Sequence, residues 1–406
     1  MQGLYNMKIS KIEAFEVTVP LRATLRIAYG NHIAVTRTIV KIHTDEGIVG
    51  LGETAARADD VRNIGAPILG QNPFDLEIIR NIISNRFYWS KEPLIVSAIE
   101  MACIDIIGKS SGEPAYRIMG GKLRPHITMA AYCFYLYAAE DGLYPSVTTP
   151  EEMAQHAADL SKEFGFKTFK LKGGVMSASH EVETMEAIRS KLGPEVRLRL
   201  DPQSAWTVET AIEMSKRLEL VGLEYYEDPV AGQMNMLRVR QRTKLAMSTN
   251  MCVTNFDELG PAVQIGAIDV VLTDPWYWGG PSQVKILDTV ARTMGIGLSM
   301  HSGIELGIGM AVMAHTGVTM VGLTAAVDAH YHHLRDDIIS GPMLKPKNGV
   351  LQPPEGPGWG VELDEEKIEK YSELHRSGKY KNIYTEANPS GPDANRPSWY
   401  PIIPGW

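Results

Sequence analysis

The chain has 406 residues, 44% of them hydrophobic, and a formal net charge of -8. That length exceeds what one hydrophobic core usually serves, so a large domain with a smaller partner is expected. Acidic and basic residues are interspersed with no basic stripe to match a phosphate backbone, which excludes nucleic acid as a partner.

Cys103, Cys133 and Cys252 stand far apart in apolar or strand-like settings. They read as reduced thiols packed as small hydrophobes, so a cytoplasmic location is expected. Met1 to Lys8 has no basic region followed by an apolar core, and the apolar stretch Met310 to Val327 is interrupted by His315, glycines and threonines. Neither export nor membrane insertion is expected.

From Lys8 to Ala56 apolar and polar residues alternate, and Thr44-Asp45-Glu46-Gly47 supplies turn chemistry between the runs Thr38 to His43 and Ile48 to Gly52. This predicts an antiparallel meander. Helical periods follow from about Pro67 to Gly112, where Ile95, Ala98, Ile99, Ala102, Ile106 and Ile107 share one face. Residues 1–125 therefore read as an α+β domain. Beyond it, short β-branched or aromatic runs alternate with amphipathic helices. The runs are Ile127–Phe134, Thr168–Gly173, Arg197–Pro202, Leu223–Pro229, Leu245–Met251, Val270–Pro275, Gly297–Ser302 and Thr324–His330. Thr149-Pro150-Glu151-Glu152 offers an N-cap, a first-turn proline and a capping-box glutamate, Thr207 can cap a later helix, and Gly193 can stop the one before it. Eight such runs predict an α/β fold, a (β/α)7β barrel over 126–340; a doubly wound open sheet is the alternative. From about Gly341 the period is lost. The segment 341–406, with Trp399, Pro401, Pro404 and Trp406, is expected to return to the first domain or to a neighbouring subunit.

Catalytic groups of a closed parallel barrel sit at the carboxyl ends of its strands. In order from the second run, those ends present Lys170 and Lys172, Asp201, Glu227, Asn250, Asp274, His301 and His330. Ionisable groups at buried strand ends are costly unless they bind something. Asp201, Glu227 and Asn250 supply three oxygen ligands carrying two charges, which describes magnesium. Lys170 and Lys172 point the same way, and two adjacent ammonium groups are expected to bring one amine toward neutrality as a general base. Asp274 beside His301 would fix the imidazole tautomer and make a second acid/base group. Gly173-Gly174 reads as a strand-to-loop turn. A carboxylate between two such bases and a cation could lose its α-proton and then its β-hydroxyl.

These residues resemble the enolase superfamily and, within it, the mandelate racemase group, especially the glucarate dehydratases. The resemblance rests on Lys170-Leu171-Lys172-Gly173-Gly174, Asp201-Pro202 with Trp206, Glu227-Asp228-Pro229, Thr249-Asn250-Met251, Asp274-Pro275, Met300-His301-Ser302 and the terminal Ile402-Ile403-Pro404-Gly405-Trp406. It implies a cap over the site, completed by the C-terminal segment, and a homo-oligomer. It also implies Mg2+, Lys172 as one base tuned by Lys170, and the Asp274–His301 dyad opposite. Substrate contacts would come from His32, Tyr132, Asn250, Ser302 and His330. Two residues depart from the glucarate dehydratase pattern: Gln203 replaces an asparagine, and Gln233 replaces a glutamate that could serve as the second metal ligand. The first expectation is an acid-sugar dehydratase giving a 2-keto-3-deoxy acid. The second is a racemase, epimerase or cycloisomerase on the same scaffold, and the third is a catalytically silent binding protein.

Overall fold

A computed structural model describes residues 6–84, 92–139 and 141–380, and the backbone of 384–385. The expectation for Trp399 to Trp406 lies outside the described residues. The first domain opens with an antiparallel meander of β1 (Ile9–Ile27), β2 (Gly30–Thr44) and β3 (Val49–Thr54), followed by α1 (Ala58–Gly65), α2 (Leu76–Ser84), α3 (Pro93–Ser111) and α4 (Ala115–Ile118). The apolar stripe read on α3 widens to nearly its whole circumference, with Ile95 to Gly108 buried, because it packs on the meander and also meets the second domain. A helix covered on both sides has no polar face to keep.

The second domain is a ring of parallel strands with a helix after each of the first seven. Its strands are β4 (Ile127–Tyr137), β5 (Thr168–Lys172), β6 (Arg197–Asp201), β7 (Tyr225–Glu227), β8 (Met247–Thr249), β9 (Val270–Thr273), β10 (Gly297–Met300) and β11 (Val327–Ala329). The helices are α5 (Pro150–Phe164), α6 (Ala178–Leu192), α7 (Val208–Val221), α8 (Gln233–Arg240), α9 (Phe256–Ile265), α10 (Pro281–Met294) and α11 (Gly307–Val318). β11 pairs with β4, and the bridge Leu298–Leu323 joins β10 to the segment leading into β11, so the sheet closes. The short turn Tyr331–His333 stands where an eighth helix would begin. This is a (β/α)7β barrel, in which inward-facing side chains fill the interior and the strand ends form the mouth. The local signals act as their chemistry requires: Thr149 and Glu152 form a capping box on α5, the Thr207 hydroxyl accepts the Thr210 N–H, and Gly193 ends α6 at φ 81°.

Three connections tie the first domain and the chain after the barrel to the barrel. β1 pairs with β4 through Thr24–Arg26, extending the meander onto the barrel. The chain after the barrel adds β12 (Val350–Leu351) to β4, and the Trp359 indole donates to the Met101 carbonyl at 3.0 Å. Finally α12 (Glu365–Arg376) lies on β1, and β13 (Tyr384–Thr385) pairs with β2. Among the described residues no helix is long and apolar enough to cross a membrane.

Candidate active site

The ends of β5, β6, β7 and β11 bring an unusual density of charge into the barrel. Asp201, Glu227, Asp228 and Asp328 are fully buried carboxylates, faced by the buried cations Lys170, Lys172 and Arg199. Lys170 Nζ donates to both Glu227 oxygens at 2.7 Å and to Asp328; Lys172 Nζ donates to Asp201 Oδ2 at 2.5 Å. Arg199 Nη1 donates to Asp328 Oδ1 at 3.1 Å, and the Tyr132 hydroxyl to Asp328 Oδ2 at 2.9 Å. Both lysine ammonium groups lie on the Tyr132 ring, at 4.6 and 4.8 Å.

This arrangement corrects the expectation for the lysine pair. Against the desolvation that burial imposes, Asp201 and then Glu227 raise Lys172 above the ordinary lysine range. The neighbouring ammonium of Lys170 is outweighed because the carboxylates surround both amines. Burial, opposed by Lys170 but reinforced by Asp201 and Asp328, pushes Glu227 well above the usual carboxylate range, and burial with Asp201 raises Asp228 to about 7. The cluster therefore holds more negative charge than its own cations offset.

The donor set suits a divalent cation. Asp201, Glu227 and Asn250 come from the ends of neighbouring strands, and the Asn250 amide lies 3.2 Å from Glu227 Oε1 and 3.3 Å from Asp228 Oδ2. Its nitrogen can donate to both carboxylates. With its oxygen turned inward, the amide needs a cation between itself and them, and Asp201, Glu227 and Asn250 then present hard oxygens only. Among the described residues no three His, Cys, Asp or Glu side chains form a metal group, since the third donor here is an amide. Gln233 is directed elsewhere: its Nε2 donates to the Cys252 and Glu258 carbonyls at 3.0 and 2.9 Å.

Above the cluster lies a cavity of about 360 Å³ whose floor includes Lys172, Asn250, His301, Ser302 and His330. Its roof is the β1–β2 hairpin, which contributes His32, Arg37 and a set of apolar residues including Ile27 and Val35. His301 Nδ1 stands 3.3 Å from Asp274 Oδ2, and Asp274 Oδ1 accepts the Trp276 and Tyr277 N–H groups at 2.8 and 2.6 Å, which fixes the carboxylate. His330 Nδ1 lies 2.9 Å from Ser302 Oγ, and burial, then Lys172, pushes His330 well below the usual imidazole range. Burial and Arg37 push His32 down to about 3. Of the residues singled out from sequence, His32, Lys172, Asn250, His301, Ser302 and His330 line the cavity; Lys170, Tyr132, Asp201, Glu227 and Asp274 lie behind that surface.

Several participants escaped the sequence reading. Asp328 lies on β11 within the run Thr324–His330 read as the last strand, a signal available but masked by the histidine. Arg199 and Asp328 neutralise each other across the ring, and no spacing reveals that. The double glycine does more than turn the chain. A Cβ at Gly173 would sit 2.4 Å from the Glu181 carboxylate, and one at Gly174 the same distance from the Pro202 carbonyl. Glu181 in turn accepts the N–H groups of Gly174, Val175 and Met176 at 2.8–2.9 Å, fixing the loop after Lys172. Backbone strain gathers at the same rim: Gln203, Ser204, Asp228 and Ile304 have φ of 53°, 60°, 34° and 67°, all just beyond strand ends. The Gln203 side chain accepts the Ala28 N–H at 2.9 Å, tying the mouth to the roof.

Residues 152–367 match the family Enolase C-terminal domain-like, and residues 9–120 match the Mandelate racemase / muconate lactonizing enzyme N-terminal domain. The chain belongs to the enolase superfamily. Within it, the chain is 34% identical over 370 residues to a probable glucarate dehydratase from Streptomyces coelicolor, covering 84% of each. It is 25% identical to an N-succinyl-L-Arg/Lys racemase from Bacillus cereus, over 90% of this chain and 98% of the relative. A solved enolase from Thermobispora bispora, complexed with magnesium and formate, superposes with a TM-score of 0.87 at 34% identity, covering 92% of this chain and 94% of that one. The superfamily membership accounts for both domains, and the two relatives named are a probable dehydratase and a racemase.

Proposed function

We propose that the protein is a magnesium-dependent acid-sugar dehydratase that removes the proton α to a carboxylate and eliminates the β-hydroxyl, giving a 2-keto-3-deoxy acid. The observation that carries this reading is that Lys172 and His301, from β5 and the end of β10, both open into one cavity beside Asp201, Glu227 and Asn250. A divalent cation held by those three would draw Asp201 from Lys172 and stabilise the charge that develops on the bound carboxylate. Lys172, once its tie to Asp201 loosens, can hold or accept the α-proton on one side. Lys170, held between Glu227 and Asp328, fixes the Glu227 carboxyl group in place beside it. His301, its ring set by Asp274, can protonate the departing hydroxyl. His32, Ser302 and His330 orient the hydroxyl groups of the acid sugar.

The likeness to a probable glucarate dehydratase supports the elimination; the likeness to a racemase supports a second reading, in which the same two groups pass the α-proton from one face to the other. A panel of mono- and diacid sugars incubated with the protein and Mg2+ in deuterated solvent separates them. Loss of one water with a keto product is expected. Solvent deuterium at the α-carbon without mass loss beyond the exchange would instead establish the racemase, and no exchange on any member of the panel would overturn both.

A further inference from the structure

The dyad Asp274–His301 is carried by two loops, and one side chain of the other domain touches both. Arg37 on β2 is 9% exposed, and its guanidinium stacks 4.9 Å from the centre of the Trp276 ring, two residues after Asp274. Its Nη2 donates to the carbonyl of Gly303, two residues after His301, and its Nη1 to its own neighbour's carbonyl, Thr36, at 2.6 Å. Glu53, 4.0 Å from Arg37 Nε, accepts the Leu306 and Gly309 N–H groups at 2.7 and 2.8 Å, at the start of α11. The two loops meet without slack, since a Cβ at Gly303 would lie 3.1 Å from the Trp276 ring. Within the second loop, Glu305 accepts the Ser302 hydroxyl at 2.5 Å and the Gly303 N–H at 2.7 Å. The imidazole–carboxylate separation, 3.3 Å, is at the long end for a hydrogen bond. A small relative slip of the loops would break it.

We infer that Arg37 is a positioning residue for the Asp274–His301 dyad: by stacking on Trp276 and holding Gly303 it sets the spacing of the two loops, so that the His301 ring is aligned only when the first domain is seated. Of the contacts named for Arg37, those to Trp276 and Gly303 cross the domain boundary. Arginine is required because one planar group must stack and donate at once, which a lysine ammonium cannot do. Lys172 lies on the opposite wall, at the end of β5 before a loop fixed by Glu181, and does not depend on Arg37.

The inference rests on the proposed two-sided proton chemistry, and the test separates the two. The full chain with Mg2+ is given a pair of acid sugars epimeric at the α-carbon in deuterated solvent, and K172A and H301N assign which epimer exchanges through which residue. R37M is expected to slow His301-dependent exchange by about 10²-fold, the usual cost of a misplacement near 1 Å, with Lys172-dependent exchange and KM held within about threefold. R37K, which preserves charge and stem and so guards against a folding failure, is expected to show an intermediate, equally one-sided loss. Equal loss on both faces, or a rise in KM without a one-sided loss as for a substrate-carboxylate ligand, would overturn the assignment. A readout independent of turnover accompanies it: in both variants the His301 ring nitrogen resonances should move while those of His315, on α11, and His156, on α5, stay in place. Unmoved His301 resonances overturn the inference even if the wild type exchanges nothing, a result that by itself would sink only the proposed proton chemistry, in its dehydratase and racemase forms alike.

Discussion

Replacing Lys172 with methionine should weaken catalysis and strengthen metal binding at once. The Lys172 ammonium sits 2.5 Å from Asp201 Oδ2 with 6% of its side chain exposed, so it competes for a carboxylate the cation needs. A hydrogen bond to a charged group contributes about 1.5–3 kcal/mol net. Methionine keeps the stem and removes the competitor, so K172M should bind Mg2+ roughly 10- to 100-fold more tightly. Loss of a general base should lower α-proton exchange by about 10² to 10⁴. In EDTA the variant should be less stable by about 3–5 kcal/mol, because Asp201 is left buried without its nearest cation, and saturating Mg2+ should recover about 1.5–3 kcal/mol of that loss, the amount by which binding tightens. Calorimetric titration of the EDTA-stripped proteins, proton-exchange rates by NMR and thermal unfolding with and without Mg2+ report the three quantities. Unchanged or weaker Mg2+ binding would refute the reasoning, since it would mean that Lys172 does not compete for Asp201.

Two further outcomes concern the joints that hold the roof over the mouth. Glu53→Ala leaves the N–H groups of Leu306 and Gly309 without acceptors in a fully buried setting; at about 1–3 kcal/mol for each orphaned donor, thermal unfolding should show a loss of several kcal/mol, whereas Glu53→Gln, which retains an acceptor oxygen, should lose less. A loss under about 1 kcal/mol for the alanine variant would show the contacts to be incidental. His315 accepts the Tyr116 N–H at 3.1 Å and, as the neutral tautomer protonated on Nε2, donates to the Trp359 carbonyl at 3.1 Å, and burial pushes its pKa down from 6.5 to about 4. As pH falls the unfolded chain takes up the proton first, so the contribution is complete above about 6.5 and declines toward pH 4, by about 3 kcal/mol across the window. The stability gap between the wild type and His315→Gln should therefore narrow on acidification. A gap constant from pH 7 to 4 would show that His315 does not remain neutral in the fold.

The alternation of short β-branched runs with capped helices sufficed to place all the barrel strands, because strand period and cap chemistry act over a few residues and are written where they act. The same locality made the polar strand ends readable, and in a closed barrel the carboxyl ends of successive strands must converge on one mouth. Closure decided what no linear pattern holds. Two lysines side by side in the chain looked like mutual repulsion, yet the ring sets them among Asp201, Glu227 and Asp328, from strands far apart, and reverses the sign of the effect on Lys172. The partners of Arg37 and Glu53 likewise lie some 250 residues away in the chain, at Gly303 and Leu306. Charge interactions depend on distance in space and on exclusion of water, and both come into being only when the two domains pack.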